Sequence, residues 1–134
     1  MIDSEVIQIA QECGFQVNNV NPLKLEASGR EYYRITNKSG KTFVLCYLNP
    51  SLGTHLKFEH VSKFLIEQNV RCPNIIYSNA KLGVTIQEDL GDSSLIDLDP
   101  LATENISLLD KSIAVLVKIQ TANVPQIPKL DQDN

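Results

Sequence analysis

Residues 25–50, LEASGREYYRITNKSGKTFVLCYLNP, form two β-rich runs around a turn. Tyr32-Tyr33-Arg34-Ile35-Thr36 has the aromatic and β-branched content that suits a half-buried pleated surface. Asn37-Lys38-Ser39-Gly40-Lys41 supplies turn residues, including the glycine such a turn needs, and Thr42 to Leu48 resumes the β-rich character. A period of two sets Tyr32 and Tyr33 on opposite faces, one toward a core and the other toward a cleft or solvent. Upstream, the small polar run Ala27-Ser28-Gly29 leads into two arginines, Arg30 and Arg34, that bracket the tyrosines. A plain hairpin needs no such loop. It is either a solvated corner or a surface built to meet a phosphate, whose oxygens backbone N–H groups and a small hydroxyl can approach closely.

Elements follow on both sides of this hairpin. Asp3 or Ser4 can cap a helix carrying Val6, Ile7, Ala10 and Cys13, with Gly14 as its left-handed stop. Val17 to Leu25 is weakly strand-like and broken by asparagines and Pro22, so only its second half is expected to form a strand. His55 to Gln68 places Phe58, Val61, Phe64 and Leu65 on one helical stripe closed by Asn69. Pro73 forces an extended restart, and Ile75–Ser78 and Val84–Gln87 read as short strands around the turn 79–83. Glu88-Asp89-Leu90-Gly91-Asp92 ends that pair. Asp99-Pro100 then opens a helical segment from Leu101 to Thr121 with the stripe Ile106, Leu109, Ile113, Leu116 and Ile119 or Gln120. Pro125, Pro128 and Asp131-Gln132-Asp133-Asn134 read as a linker. The expected fold class is α+β: a curled antiparallel sheet of about five strands with the His55–Gln68 helix packed on it, plus flanking N- and C-terminal helices. That order is the layout of a kinase small lobe, with a lobe over 1–98 and a linker helix and tail over 99–134.

At 134 residues the chain suits one core. Hydrophobic residues make up 43% and charged residues 21% of it, an ordinary globular balance that argues against disorder. No apolar run reaches a membrane span and Met1 to Glu5 lacks a signal-peptide pattern, so a cytoplasmic protein is expected. The net charge of −4 disfavours a nucleic-acid partner, which needs a basic face. Cys13, Cys46 and Cys72 are too scattered for a disulfide framework or metal cluster and read as reduced, part-buried thiols.

Five blocks in register carry a specific resemblance: ASGREYYRI, FVLCYLNP, FLIEQNVRCPNII, GVTIQEDLGD and LLDKSIAVLVKIQTANVP. In order and spacing, over about Leu25 to Pro128, they resemble the N-terminal lobe of the aminoglycoside phosphotransferase and choline kinase-like superfamily. The nearest branch is the bacterial N-acetylmuramate and N-acetylglucosamine-type sugar kinases. The resemblance implies that Ser28, Gly29, Arg30 and Glu31 form the loop over the nucleotide phosphates. It also implies that Gln87, Glu88, Asp89 and Leu90 form the hinge whose backbone meets adenine, with Gly91 turning the chain toward a second lobe. For the hinge, the plainer alternative is an acidic loop capping the next segment through Asp92 and Ser93.

One expected feature is missing. A kinase lobe carries a strand lysine paired with a helix glutamate, but here the lysine position is Cys46, a small strand residue that cannot neutralise phosphate. Glu59, the candidate helix partner, reads as a solvated charge, and His55 and His60 as surface residues. No His-x-Asp pattern followed by asparagine is present. The expectation is an ATP-dependent sugar or aminoglycoside-like phosphotransferase lobe, truncated before the catalytic lobe. ATP, Mg²⁺ and the small-molecule substrate are expected only in the full-length parent, and the chain itself is expected to be inactive and to pair with a second copy. The alternative is a non-catalytic kinase-like regulatory or interaction module.

Overall fold

The computed structural model describes residues 1–23, 28–99 and 102–122. Ala27 and the end of the weak strand, Pro100 and Leu101 at the expected helix start, and the linker with Pro125, Pro128 and 131–134 lie outside the described residues. The element order is α1 (Asp3–Glu12), β1 (Val17–Pro22), β2 (Glu31–Asn37), β3 (Thr42–Tyr47), α2 (Leu56–Glu67), β4 (Ile75–Asn79), β5 (Val84–Glu88), a short 3₁₀ turn (Leu95–Asp97) and α3 (Thr103–Thr121). The fold is α+β: the five strands form one sheet in the order β1-β2-β3-β5-β4, every neighbouring pair antiparallel. β1 and β4 are its edges, so the sheet is open.

The chain divides into two compact units, Met1–Glu59 with Pro73–Asp89, and His60–Cys72 with Leu90–Asn134. The first holds the sheet. One sheet face carries Val20, Tyr33, Ile35, Phe43, Leu45, Val84 and Ile86, all buried with Val6, Ala10 and Cys13 of α1 in one cluster. Phe15 seals its edge, its ring edge-on to Phe43 at 5.5 Å and to Tyr77 at 6.3 Å. The helix on this face is α1; α2, expected to pack on the sheet, meets the opposite face, where Glu59 accepts from the Ser78 hydroxyl of β4. Val6, Ala10 and Cys13, spaced by four and three, are small enough to let the helix backbone approach the strands closely. Phe58 of α2, expected against the sheet, is 41% exposed.

The helix ends obey local chemistry with one correction. Neither Asp3 nor Ser4 caps α1: Ile2 is the cap position, and its N–H donates to the Glu5 carboxylate at 2.9 Å. At the other end Gly14 has φ +86°. There the N–H groups of Gly14 and Phe15 donate to the carbonyls of Gln11 and Ala10, both at 2.9 Å, the paired bonds of a left-handed helix stop. β1 also corrects the sequence reading, because it uses the first half of its segment, with a register shift between Val17 and Asn19. An edge strand tolerates Pro22 and polar asparagines because only one side of it must pair.

In the second unit Asn69 takes φ 58° after α2, as its role as a helix stop requires. Cys72 Sγ lies 3.6 Å from the Ser62 carbonyl. α3 starts at Thr103 with Ala102 as its cap, and none of its described side chains is buried.

Candidate functional site

Strand alternation gives the sheet a second face of different chemistry. Tyr32 and Arg34 of β2, Val44 and Cys46 of β3, and Thr85 and Gln87 of β5 share it. Ladder register aligns them in two rows: Tyr32 with Cys46 and Thr85, and Arg34 with Val44 and Gln87. The opposite face is almost entirely apolar, so the polar groups here are concentrated on one side of three adjacent strands. The tyrosines divide as alternation requires, with Tyr33 buried in the core and Tyr32 half-buried on the polar face.

Arg34 crosses this face. Its Nε and Nη2 donate to Asp89 Oδ2 and Oδ1 at 2.6 and 3.0 Å, and the Asp89 side chain is 5% exposed. The forked guanidinium holds both carboxylate oxygens, the strongest geometry for such a pair. Two consequences follow for the sequence reading. Arg34 is committed to Asp89 and supplies no spare charge for a phosphate, and Asp89 is the anchor of the turn after β5 with both oxygens engaged.

The other expected hinge positions separate by backbone use. Gln87 and Glu88 are still in the sheet, paired with Val44 and Phe43 of β3, and Glu88 N–H donates to the Asn74 carbonyl at 2.9 Å. The Glu88 side chain points to the same segment, its Oε2 accepting from Asn74 N–H at 3.3 Å. Asp89 and Leu90 are the first positions beyond the ladder. Leu90 is 56% exposed, and Gly91 turns the chain with φ +82°.

Before β2, Ser28 and Gly29 are exposed and Arg30 half-buried, and Gly29 takes φ +74°. Glu31 does not belong with them. Its Oε1 accepts from the Met1 amino group at 2.8 Å and from Tyr33 hydroxyl at 3.0 Å, fastening the chain start to β2. The ammonium bond holds the Glu31 carboxyl below its usual range, while burial, then Glu31, pushes Tyr33 up to about 12.

Cys46 is 3% exposed on the polar face, beside Thr85. Glu59 Oε1 accepts from the Ser78 hydroxyl of β4, which the register aligns with Thr85 and Cys46. His55, expected at the surface, is 5% exposed. Its Nε2–H donates to the Gly83 carbonyl at 3.0 Å, which also accepts from Leu48 N–H at 2.8 Å. A Cβ on Gly83 would sit 2.0 Å from the Leu48 carbonyl oxygen, so this turn admits glycine alone. His60 is exposed as expected. All three cysteines are free, and burial pushes the Cys13 thiol up.

Among the described residues no three His, Cys, Asp or Glu side chains gather as metal ligands would. With Asp89 engaged by Arg34, the described residues do not fit a Mg²⁺ site. No helix among them is long and apolar enough to cross a membrane. A cavity of about 420 Å³ lined by Gln11, Gly14, Phe15, Gln16, Val17 and Lys38 contains none of the expected site residues.

Sequence reasoning missed the Arg34–Asp89 pair, because the two residues are 55 positions apart and only the strand order joins them. It missed two further atoms. Thr85 Oγ1 and Gln87 Oε1 are buried without a hydrogen-bond partner, a condition that folded proteins seldom leave unexplained. The alternation of polar Thr85 and Gln87 with apolar Val84 and Ile86 was the available signal. No protein-family model matches the chain, and no curated protein matches it.

Proposed function

We propose that this chain is the nucleotide-binding lobe of an ATP-dependent phosphotransferase acting on a hydroxyl of a sugar or aminoglycoside-like molecule in the cytoplasm. The observation that carries the reading is the spacing of two loops along one polar face. The Ser28–Arg30 loop leads into one end of β2, and the Asp89–Leu90 turn leaves the far end of β5. From Gly29 to the row of Arg34, Val44 and Gln87 is five residues, about 17 Å at strand rise. An extended nucleoside triphosphate fits that interval, its phosphates under the small-residue loop and its base beside the β5 end.

In this reading the chain's own groups bind and orient. Backbone N–H groups around Gly29 and the Arg30 guanidinium meet phosphate oxygens. Arg34 holds Asp89 and so fixes the turn against which the base rests. The acceptor hydroxyl and Mg²⁺ would be handled by a second lobe, because the chain has no His-x-Asp pattern. Bound Mg²⁺ would neutralise charge on the phosphates.

Cys46 favours a second reading, a kinase-like module that has lost phosphate chemistry with its lysine and now serves regulation or interaction. Calorimetric titration of the chain with ATP separates them. The lobe reading expects weak saturable binding with no phosphate transfer to amino sugars or aminoglycosides. Absence of binding favours the module, and turnover above a no-protein control contradicts the placement of the catalytic groups elsewhere.

A further inference from the structure

We propose that the loop joining β3 to α2, residues 48–55, is the seat that fixes the Ser28-Gly29 turn, with Leu52 as its contact and His55 as the positioning residue behind it. Its part in phosphate binding rests on the nucleotide-lobe reading above. A Cβ built on Gly29 would meet Leu52 Cδ1 at 3.8 Å, ordinary contact distance, so the leucine side chain lies over the turn although the two are far apart in sequence. Leu52 is otherwise 70% exposed. A leucine so exposed adds little to the core, and its place over the glycine turn is what gives it a role.

The bonds beneath Leu52 hold it still. Leu52 N–H donates to the Asn49 carbonyl at 2.8 Å, and Asn49 Oδ1 accepts from Ser51 N–H at 3.0 Å and from the Ser51 hydroxyl at 2.8 Å, two turns nested in one another. The ends of the loop converge on a single atom. The Gly83 carbonyl oxygen accepts from Leu48 N–H at 2.8 Å and from His55 Nε2 at 3.0 Å. A carbonyl only accepts, so His55 Nε2 carries the proton. The ring is buried, and the His55 carbonyl in turn accepts from Glu59 N–H at 2.9 Å in the first turn of α2. One buried side chain thus ties the closed loop, the β4–β5 turn and the start of α2 together. Surface loops are ordinarily mobile, but this one is bonded within and closed at its base, which leaves Leu52 few positions. Gly29 has no side chain to brace its own turn, and the seat braces it from outside. Backbone N–H groups aimed before a phosphate arrives lose less freedom on binding it.

The test measures backbone order parameters of the isotopically labelled chain without nucleotide, on the natural protein and on Leu52→Ala, Leu52→Met, His55→Leu and His55→Gln, followed by an ATP titration of each. In the natural chain the Gly29 amide should lie near the rigid value of about 0.85, and in Leu52→Ala and His55→Leu it should drop below about 0.6. Leu52→Met keeps the apolar reach and His55→Gln keeps an N–H donor, so both should hold the turn. A merely structural role for His55 would lower stability without loosening Gly29. The ATP dissociation constant should rise about threefold or more in Leu52→Ala, the loss expected when the competent arrangement of the turn is populated a third of the time. If His55→Leu fails to fold, Leu52→Ala, at an exposed position, decides alone. An unchanged order parameter at Gly29 in Leu52→Ala, or ATP binding unaltered by a loosened turn, overturns the proposal. A turn that loosens as expected in a chain that binds no ATP overturns the nucleotide reading and leaves the seat standing.

Discussion

The sheet with α1 and the C-terminal helix α3 use similar side chains to opposite ends. In the first, Val6, Ala10, Ile35, Leu45, Val84 and Ile86 are at most 1% exposed. In α3 no described side chain is buried, and Ile106, Ile113, Leu116 and Val117 are 49–59% exposed. The difference lies in the pattern around each helix. α1 has one narrow apolar stripe that a single sheet face satisfies. α3 has two: Ile106, Leu109, Ile113 and Leu116 form one, and Leu108, Val115 and Ile119 another, with Ser112 between them. A helix apolar on so wide an arc needs neighbours on more than one side. Apolar content alone therefore does not make a core; a surface of matching width must face it.

The largest effect that tests this contrast is a pair of truncations. Leu45→Ala should cost about 2–5 kcal/mol, because its cavity lies in a core with little room to collapse. Ile113→Ala should change the chain's stability by under about 0.5 kcal/mol, the ordinary range for exposed positions. Urea unfolding of both variants decides it, and comparable losses would erase the distinction between the two regions.

Next comes the polar face of the sheet. Arg34→Ala removes the guanidinium that holds the nearly buried Asp89 carboxylate and should cost about 3 kcal/mol. The double variant Arg34→Leu/Asp89→Leu should recover much of that loss, which an exposed pair would not show. Gly83→Ala should cost about 2 kcal/mol, through its positive φ of 67° and the collision with Leu48. Denaturation midpoints measure both.

How much of this was legible beforehand differs by region for a physical reason. The β2–β3 hairpin, the stops at Gly14 and Asn69 and the β4–β5 pair follow from chemistry within a few residues, and sequence carries that directly. The choice of covering helix does not. α1 and α2 both have an apolar stripe, and which one meets the Leu45 face depends on how closely small residues such as Ala10 let a backbone approach. In the candidate site, the exposed Ser28-Gly29 turn and the turn at Gly91 were readable. Glu31 and Asp89 looked like loop acids, yet each is tied to a group distant in sequence, Met1 and Arg34. His55 looked exposed because nothing local announces that the Gly83 carbonyl lies beside it.

Smaller effects are pH-dependent. Glu31 has a lowered carboxyl pKa in the folded chain, so its contribution is present above the unfolded value of about 4.3 and disappears as pH falls through the folded one. Glu31→Gln should flatten the acid limb of the stability curve, by under about 1 kcal/mol for a partly exposed pair. Tyr33 behaves oppositely. With its phenol pushed up to about 12, its contribution is complete below about pH 10 and fades as pH rises through 12. A phenolate absorbance step near pH 12 that vanishes in Tyr33→Phe checks this.

The large apolar side chains of α3 from Ile106 to Ile119 are 39–59% exposed, a contiguous apolar surface of the kind that usually finds a partner. We propose that a second copy of the chain covers this helix. Light scattering should show a dimer that Ile113→Lys converts to a monomer, whose melting temperature no longer rises with protein concentration. A natural chain that stays monomeric at high concentration contradicts the pairing.

A nucleotide seated between the Ser28–Arg30 loop and the end of β5 is detected by following every amide of the labelled chain during titration with ATP. Shifts are expected at Ser28, Gly29 and Arg30 and at Asp89 and Leu90, with the α1 amides and those of Ile106 to Ile119 unmoved. Shifts confined to the Gln11–Lys38 cavity, or none at millimolar ATP, would contradict it.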